Sequence, residues 1–194
     1  HIGKDNESGT RMAIEDANTK GIVIGGRKVR FELISEDDQA DPKTATIVAQ
    51  KLVDNKVSGV IGHLNSGTSI PASRIYHDNG IVQISPSATA VEFTANGYKT
   101  AFRVMANDAQ QGRVLGEYAT RKLAAKKIAV IDDRTGYGQG LADEFIRSAR
   151  ANGAQIVARE YTNDKAYDFT AVLTAVKGKQ PDLLFFAGMD PQAG

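Results

Sequence analysis

The sequence predicts an α/β fold, a parallel sheet covered by helices, laid down twice along the chain. Three observations predict it. Short apolar runs of the kind found in buried strands alternate with segments whose apolar residues return at helical spacing. After Met105 a polar stretch intervenes and the same alternation starts over. Twice, after Ile61 and after Ile84, a strand pattern stops at a run of small hydroxylated residues, and the carboxyl ends of strands are where α/β proteins bind ligands.

In chain order, Met12, Ala13, Ile14 and Ala17 fall on one face of a helix over Glu7 to Lys20, with Gly21 as its stop. Gly25-Gly26 supplies a turn, and Val29, Phe31 and Leu33 alternate with polar neighbours in a strand over Lys28 to Ser35. An acidic turn, Glu36 to Asp41, leads to Pro42 and a helix over Thr44 to Asn55 that carries Ala45, Val48, Ala49, Leu52 and Val53 on one side. Val57 to Ile61 reads as strand, Ser69 to Asn79 as helix with Pro71 in its first turn, and Ile81 to Ile84 as strand. Phe93 to Gly97 is a loop or short helical turn, and Ala101 to Met105 is a strand. Asn107-Asp108 is a good helix start and marks the crossing between units. The second unit runs helix (Gln111 to Leu123), strand (Lys127 to Asp132), helix (Gly140 to Asn152), strand (Gln155 to Tyr161), helix (Phe169 to Lys177) and strand (Asp182 to Ala187). The chain opens on a helix with no strand before it and closes just after a strand, the pattern of an excerpt from a longer chain.

Composition narrows the function classes. The 194 residues are 41% hydrophobic and 24% charged, the balance of a globular protein with a core. A net charge of +1 creates no field that would draw nucleic acid or an anionic membrane. With no cysteine, disulfides and thiolate chemistry are excluded, and no apolar run approaches the roughly 18 residues of a membrane span.

The hydroxyl runs are Asn65, Ser66, Gly67, Thr68, Ser69 and Ser85, Pro86, Ser87, Ala88, Thr89. Their hydroxyls, with the backbone amides of a helix start, can hold a carboxylate without a fixed positive charge; the alternative is that they only cap helices. His63 near Ser66 raises a serine hydrolase reading, yet the loop lacks the G-x-S-x-G elbow, and His63 is expected to pack under the loop. The loop Asp132 to Gly140 follows a strand and opens a helix, but Leu141 stands where a dinucleotide fingerprint needs glycine. Its glycines more simply permit a turn that projects Tyr137 into a cleft. The acidic turn lacks EF-hand spacing, and His1, His63 and His77 lack metal-ligand spacing. No metal and no cofactor is expected.

The run Gly62-His63-Leu64-Asn65-Ser66-Gly67-Thr68-Ser69-Ile70-Pro71-Ala72-Ser73, then Tyr76, Gly80-Ile81 and Ile84-Ser85-Pro86-Ser87-Ala88-Thr89, resembles the periplasmic leucine/isoleucine/valine-binding proteins of bacterial ABC importers. The likeness continues through Gly97-Tyr98, Phe102-Arg103, Asp108, Gln111-Gly112, Tyr137-Gly138-Gln139-Gly140-Leu141-Ala142 and Gly188. It implies a type I periplasmic binding protein, two Rossmann-like doubly wound parallel-sheet lobes joined by three crossings. Residues 1–105 would form lobe one and 106–194 part of lobe two, with the first strand and the rest of lobe two missing. It implies that Ser66 binds the ligand carboxylate by hydroxyl and amide, that Thr89 binds carboxylate and ammonium, and that the Ser87 carbonyl accepts from the ammonium. Tyr137 would be the aromatic brought in by lobe two, with Asn65 and Ala88 completing the loops. Ile2 stands where the family has a tyrosine wall, and Ala40 and Asn65 stand at the two positions of a family disulfide. The acid that neutralises the ammonium would lie beyond Gly194.

The resemblance implies a monomeric, non-catalytic protein of the periplasm, its signal peptide removed, that delivers an aliphatic amino acid to a membrane permease. A ligand-sensing domain of the same fold from a receptor or regulator is the alternative, and a Ser/His hydrolase a third.

Overall fold

Glycine and asparagine set the geometry of the first forty residues. The computed structural model describes residues 2–193, with backbone alone at Ile2 and Pro191. Helix α1 (Ile2–Lys20) stops at Gly21, whose φ of 66° suits a residue without Cβ. A two-stranded hairpin, β1 (Val23–Ile24) and β2 (Arg27–Lys28), turns through Gly25 and Gly26 at φ 58° and 78°, the left-handed pair that a tight hairpin needs. The Asn18 amide donates to the Phe31 carbonyl at 2.9 Å and its Oδ1 accepts from the Phe31 amide at 2.8 Å, tying α1 to the chain that follows.

The strand expected over Lys28 to Ser35 ends as a ladder at Lys28. The Val29 amide still donates to the Ile22 carbonyl at 2.9 Å, and residues 30–35 line an open groove of about 1610 Å³ whose lining also includes Val60, Ile61 and Val82. The alternation of Val29, Phe31 and Leu33 predicted a strand, but pairing depends on a partner that periodicity does not report.

Helix α2 (Pro42–Asp54) starts with Pro42 in its first turn and Asp41 as N-cap, its carboxylate accepting from the Thr44 amide at 2.7 Å. Strands β3 (Gly59–Ile61), β4 (Val82–Ser85) and β5 (Ala101–Arg103) form a parallel sheet in that order, with helix α3 (Ser66–Asp78) and the single turn α4 (Glu92–Ala95) between them. One face is covered: Val60 and Ile81 pack with Val48, Ala49 and Leu52 of α2 and Ala72 and Tyr76 of α3. The other face is bare, with Ile61 and Phe102 each 49% exposed and Val104 75% exposed. The expectation of a sheet covered by helices is therefore met on one face of this sheet.

Helix α5 (Asp108–Glu117) crosses to the second unit and continues as one π-helical turn, Tyr118–Lys122, in place of the regular helix expected to Leu123. The second sheet, β7 (Gln155–Tyr161), β6 (Lys127–Asp132) and β8 (Leu183–Ala187), is parallel and covered on both sides. Along β6, Ile128 and Val130 point to α5 and α6 (Gly136–Ala151), where Phe145 stacks on Phe185. Ala129 and Ile131 point the other way, to Val172 and Val176 of α7 (Thr170–Lys177). A terminal turn, α8 (Asp190–Ala193), follows β8.

Helices α5 and α6 meet along a seam in which residues four apart oppose residues four apart: Gly112 lies against Glu144 and Gly116 against Ser148. A Cβ on Gly112 would sit 2.5 Å from the Glu144 Cβ, and one on Gly116 2.6 Å from the Ser148 Cβ. Neither space exists. Gly→Ala inside an exposed helix gains up to about 1 kcal/mol, but overpacking costs about 1–3 kcal/mol, so the clash decides the sign. Gly116→Ala is expected to lower the urea midpoint of unfolding; a raised midpoint would mean that the seam is looser than described.

The acidic turn is pinned to the first unit through Asp38, whose Oδ2 lies 2.7 Å from His63 Nδ1, while His63 Nε2 lies 3.0 Å from the Tyr76 hydroxyl. A neutral ring with its proton on Nδ1 satisfies all three groups: Nδ1–H donates to Asp38 and Nε2 accepts from Tyr76. Burial pushes the Asp38 carboxyl up, but His63, the Ala40 amide and Thr68 outweigh it and hold it below its ordinary value, while burial and then Asp38 push the Tyr76 phenol well above its own. A depressed folded-state acid gives stability that is present above the unfolded value near about 3.9 and is lost as pH falls through the lower folded value. His63→Phe is accordingly expected to lower the thermal midpoint at pH 6, with the deficit shrinking below about pH 4; a deficit that does not change with pH would sever the link to Asp38.

Candidate functional site

The first hydroxyl run is the opening turn of a helix. Asn65, in extended conformation (φ −84°, ψ 147°), is the N-cap of α3, and its carbonyl accepts from the Ser69 amide at 2.8 Å. Its side chain makes no capping bond. Helix α3 thus begins three residues before the expected Ser69, Ser66 and Gly67 occupy its first two positions, and Pro71 lies inside the helix, beyond the first turn. Amides at these positions have no intrahelical acceptor and carry the positive end of the helix dipole.

The loop before α3 is held from inside. The His63 carbonyl accepts from the Ser69 hydroxyl at 2.9 Å and the Ser85 hydroxyl at 2.7 Å. Ser85 in turn accepts from the Ala88 amide at 2.9 Å, so one buried serine at the end of β4 shapes both loops. Ser87, exposed, donates its hydroxyl to the Leu64 carbonyl at 2.6 Å. Ser66 is 1% exposed, and its Oγ accepts from the Ala90 amide at 3.1 Å. These bonds bring Asn65, Ser66, Ser87, Ala88 and Thr89 together at the carboxyl ends of β3 and β4.

Thr89 turns its hydroxyl inward: Oγ1 is buried and has no hydrogen-bond partner, and its carbonyl accepts from the Asp108 amide at 2.8 Å. On either side of it the Arg103 guanidinium donates to the Ala88 and Ala90 carbonyls, both at 2.7 Å. Arg103 also lies 5.4 Å from the Phe93 ring centroid. Sequence reasoning gave Arg103 and Asp108 no role in the site. The available signal was their place: an arginine closing the strand beside the second loop, and an acid at the start of the crossing helix.

From the second sheet, Asp133 Oδ1 accepts from the Thr135 amide at 2.9 Å and hydroxyl at 2.7 Å, and Thr135 Oγ1 caps α6 by accepting from the Gly138 amide at 3.0 Å. This turn starts α6 at Gly136, directly opposite α3: a Cβ on Gly136 would lie 3.2 Å from the Gly67 Cα. Tyr137 follows, half-buried against the core of the second unit, its phenol pushed up by burial with a small opposing pull from Gln111. Two helix N-termini therefore meet, with the Ser66, Ser87 and Thr89 hydroxyls and the Tyr137 ring on the elements around them. A gap opened between two such N-termini would favour an anion, and a carboxylate suits the donors.

The side chain of Ile2 lies outside the described residues. His63 engages both ring nitrogens with Asp38 and Tyr76, and the Ser66 oxygen accepts from Ala90, so the two form no nucleophile–base bond. Among the described residues no group of three or more His, Asp or Glu is placed to hold a metal ion, and no helix is long and apolar enough to cross a membrane.

A family model described as periplasmic binding protein matches residues 1–193. The chain is 40% identical over 192 residues to Leu/Ile/Val-binding protein homolog 1 of Brucella abortus, covering 99% of this chain and 51% of that protein. Among solved structures it is similar to an ABC transporter substrate-binding protein from Desulfitobacterium hafniense in complex with Leu (32% identity, TM-score 0.73, 95% of this chain and 54% of that one). It is also similar to the branched-chain amino acid transporter substrate binding protein of Streptococcus pneumoniae in complex with isoleucine (31% identity, TM-score 0.78, 93% and 51%). The chain spans about half the length of the curated relatives it matches. By the match over residues 1–193 and the architecture of paired parallel sheets, the chain belongs to the periplasmic binding protein family.

Proposed function

We propose that this chain forms part of the solute-binding protein of a bacterial ABC importer, holding a branched-chain aliphatic amino acid between two lobes, residues 1–105 and 106–194. The observation that carries the proposal is the meeting of the α3 and α6 N-termini at Gly67 and Gly136. In this reading the ligand carboxylate sits against the first amides of α3 and the Ser66 hydroxyl. Thr89 serves carboxylate and ammonium, the Ser87 carbonyl accepts from the ammonium, and Asn65 and Ala88 shape the loops that present them. Tyr137 closes over the ligand from the second lobe, and Ile2 belongs to the wall around its side chain.

The site binds and does not catalyse. Ser66 lacks a base and the donors around the gap are hydroxyls and amides, suited to holding a carboxylate rather than attacking one. The bound amino acid is a zwitterion buried on closure, so each charged atom needs a partner, and ligand stabilises the closed form by its differential affinity. The names of the relatives support branched-chain amino acids as the ligand class, work in the periplasm and delivery to a membrane permease; a monomer completes this reading.

Calorimetry on the full-length protein tests the site. A hydrogen bond to a charged group is worth about 1.5–3 kcal/mol, so Ser66→Ala and Thr89→Ala should each weaken leucine binding about tenfold or more; wild-type affinity in both would refute the assignment. Gly136→Val removes no ligand contact but wedges the two helix ends apart. It should weaken binding while the ligand-free thermal midpoint stays put, and unchanged affinity would mean that the helix ends need not meet.

A further inference from the structure

Asp108 is the first residue of α5 and is 0% exposed, yet neither of its carboxylate oxygens has a hydrogen-bond partner. Its backbone amide donates to the Thr89 carbonyl, and the Thr89 hydroxyl is the other buried polar group at this spot without a partner. On the far side is α6. Asp108, Gly112 and Gly116 lie on one stripe of α5, and a Cβ on Gly140 would come 3.7 Å from Asp108 Oδ2, so α6 passes within ordinary contact distance of the carboxyl. Buried polar groups without partners are few in folded proteins. Here two of them face each other where the crossing helix meets the binding loop.

We propose that Asp108 is a positioning residue of the amino-acid site, deciding whether the Thr89 hydroxyl offers the ligand a lone pair or a proton. The inference rests on Thr89 being a ligand contact, as proposed above. A hydroxyl has one proton and two lone pairs, and an ionised carboxylate only accepts. With Asp108 ionised, the Thr89 proton turns toward it and the Thr89 lone pairs face the gap, where the ligand ammonium needs an acceptor. With Asp108 protonated, the acid proton is donated to one Thr89 lone pair and the Thr89 proton turns to the gap, which leaves a single acceptor lone pair and sets a proton against the ligand ammonium.

The surroundings set this balance. Burial is the largest influence and raises the Asp108 carboxyl above its ordinary value, helped by Glu92 from α4 and Glu144 from α6. The Thr89 hydroxyl and the Arg103 guanidinium from β5 oppose it. The Tyr137 phenol of α6 feels the Asp108 charge as well. The carboxyl therefore takes up its proton at a higher pH than an ordinary aspartate does.

The test is leucine affinity as a function of pH in the full-length protein, with thermal midpoints measured on the same samples. Wild-type affinity should fall about tenfold as pH drops through the Asp108 transition. Asp108→Asn should bind weakly and with a flat pH profile, while its ligand-free midpoint at neutral pH stays equal or rises, because a buried charge and its desolvation cost have been removed. A merely structural role predicts that affinity and midpoint fall together, and that result overturns the proposal, as does an Asp108→Asn profile that titrates like wild type. Thr89→Ser, which keeps the hydroxyl, should keep the pH response; losing it would also overturn the proposal. Carbon-13 NMR of the aspartate carboxyls without ligand supplies a readout independent of the function proposed above. Thr89→Val should raise the Asp108 titration midpoint, and an unmoved midpoint overturns the coupling even if the wild type binds no amino acid, a result that would sink the functional reading separately.

Discussion

Two helices that begin within van der Waals reach of each other turn the positive ends of their dipoles on one gap, and most of the surrounding architecture holds them there. Each N-terminus carries the equivalent of about half a positive charge, so the pair repels when nothing lies between. Glycine at both closest points permits the approach. Helix α3 is aimed by the loop beneath it, where Ser69 and Ser85 converge on the His63 carbonyl. Helix α6 is aimed by the Asp133–Thr135 turn, whose Asp133 amide donates to the Ala187 carbonyl of β8 at 3.1 Å, and by the glycine seam with α5. Strand ends, seam and loop bonds thus act on the same few ångströms.

The parts legible in the sequence were those set by local chemistry. Alternation of strand and helix patterns gave the parallel α/β class, because buried strands and amphipathic helices each carry their own period. The hydroxyl runs marked the two strand ends, whereas Gly136-Tyr137-Gly138, expected as a turn, open α6, and the turn before them is made by Asp133 and Thr135. What the sequence did not reveal depends on partners distant in the chain. Residues 30–35 belong to no ladder, because a ladder needs a neighbouring strand. The early start of α3 at Ser66 was hidden because Ser, Gly and Thr are weak helix formers, and only the Asn65 carbonyl, accepting from Ser69, shows the turn closed. The bare face bearing Ile61 and Phe102 reads in one dimension like the covered one. Arg103 reads as a polar strand residue until the fold brings the carbonyls of Ala88 and Ala90, thirteen or more positions earlier, to its guanidinium.

In the proposed site a charged ligand would be held without a fixed countercharge on the carboxylate side. A micromolar ligand is held by about 8 kcal/mol, and association itself costs on the order of 4–15 kcal/mol in lost freedom. The gross interaction must therefore exceed what one helix end supplies, at most about 2 kcal/mol from its dipole and about 1.5–3 kcal/mol for each hydrogen bond to a charged atom. In that proposal, contacts from the first sheet alone would leave the ligand weakly bound, and the second helix end and Tyr137 would have to arrive together to close the gap. A buried arginine in place of the two N-termini would carry its own desolvation penalty whenever the gap was empty. Backbone amides are already solvated when the halves part and already aimed when they meet, so strong binding in the closed form is compatible with release in the open one.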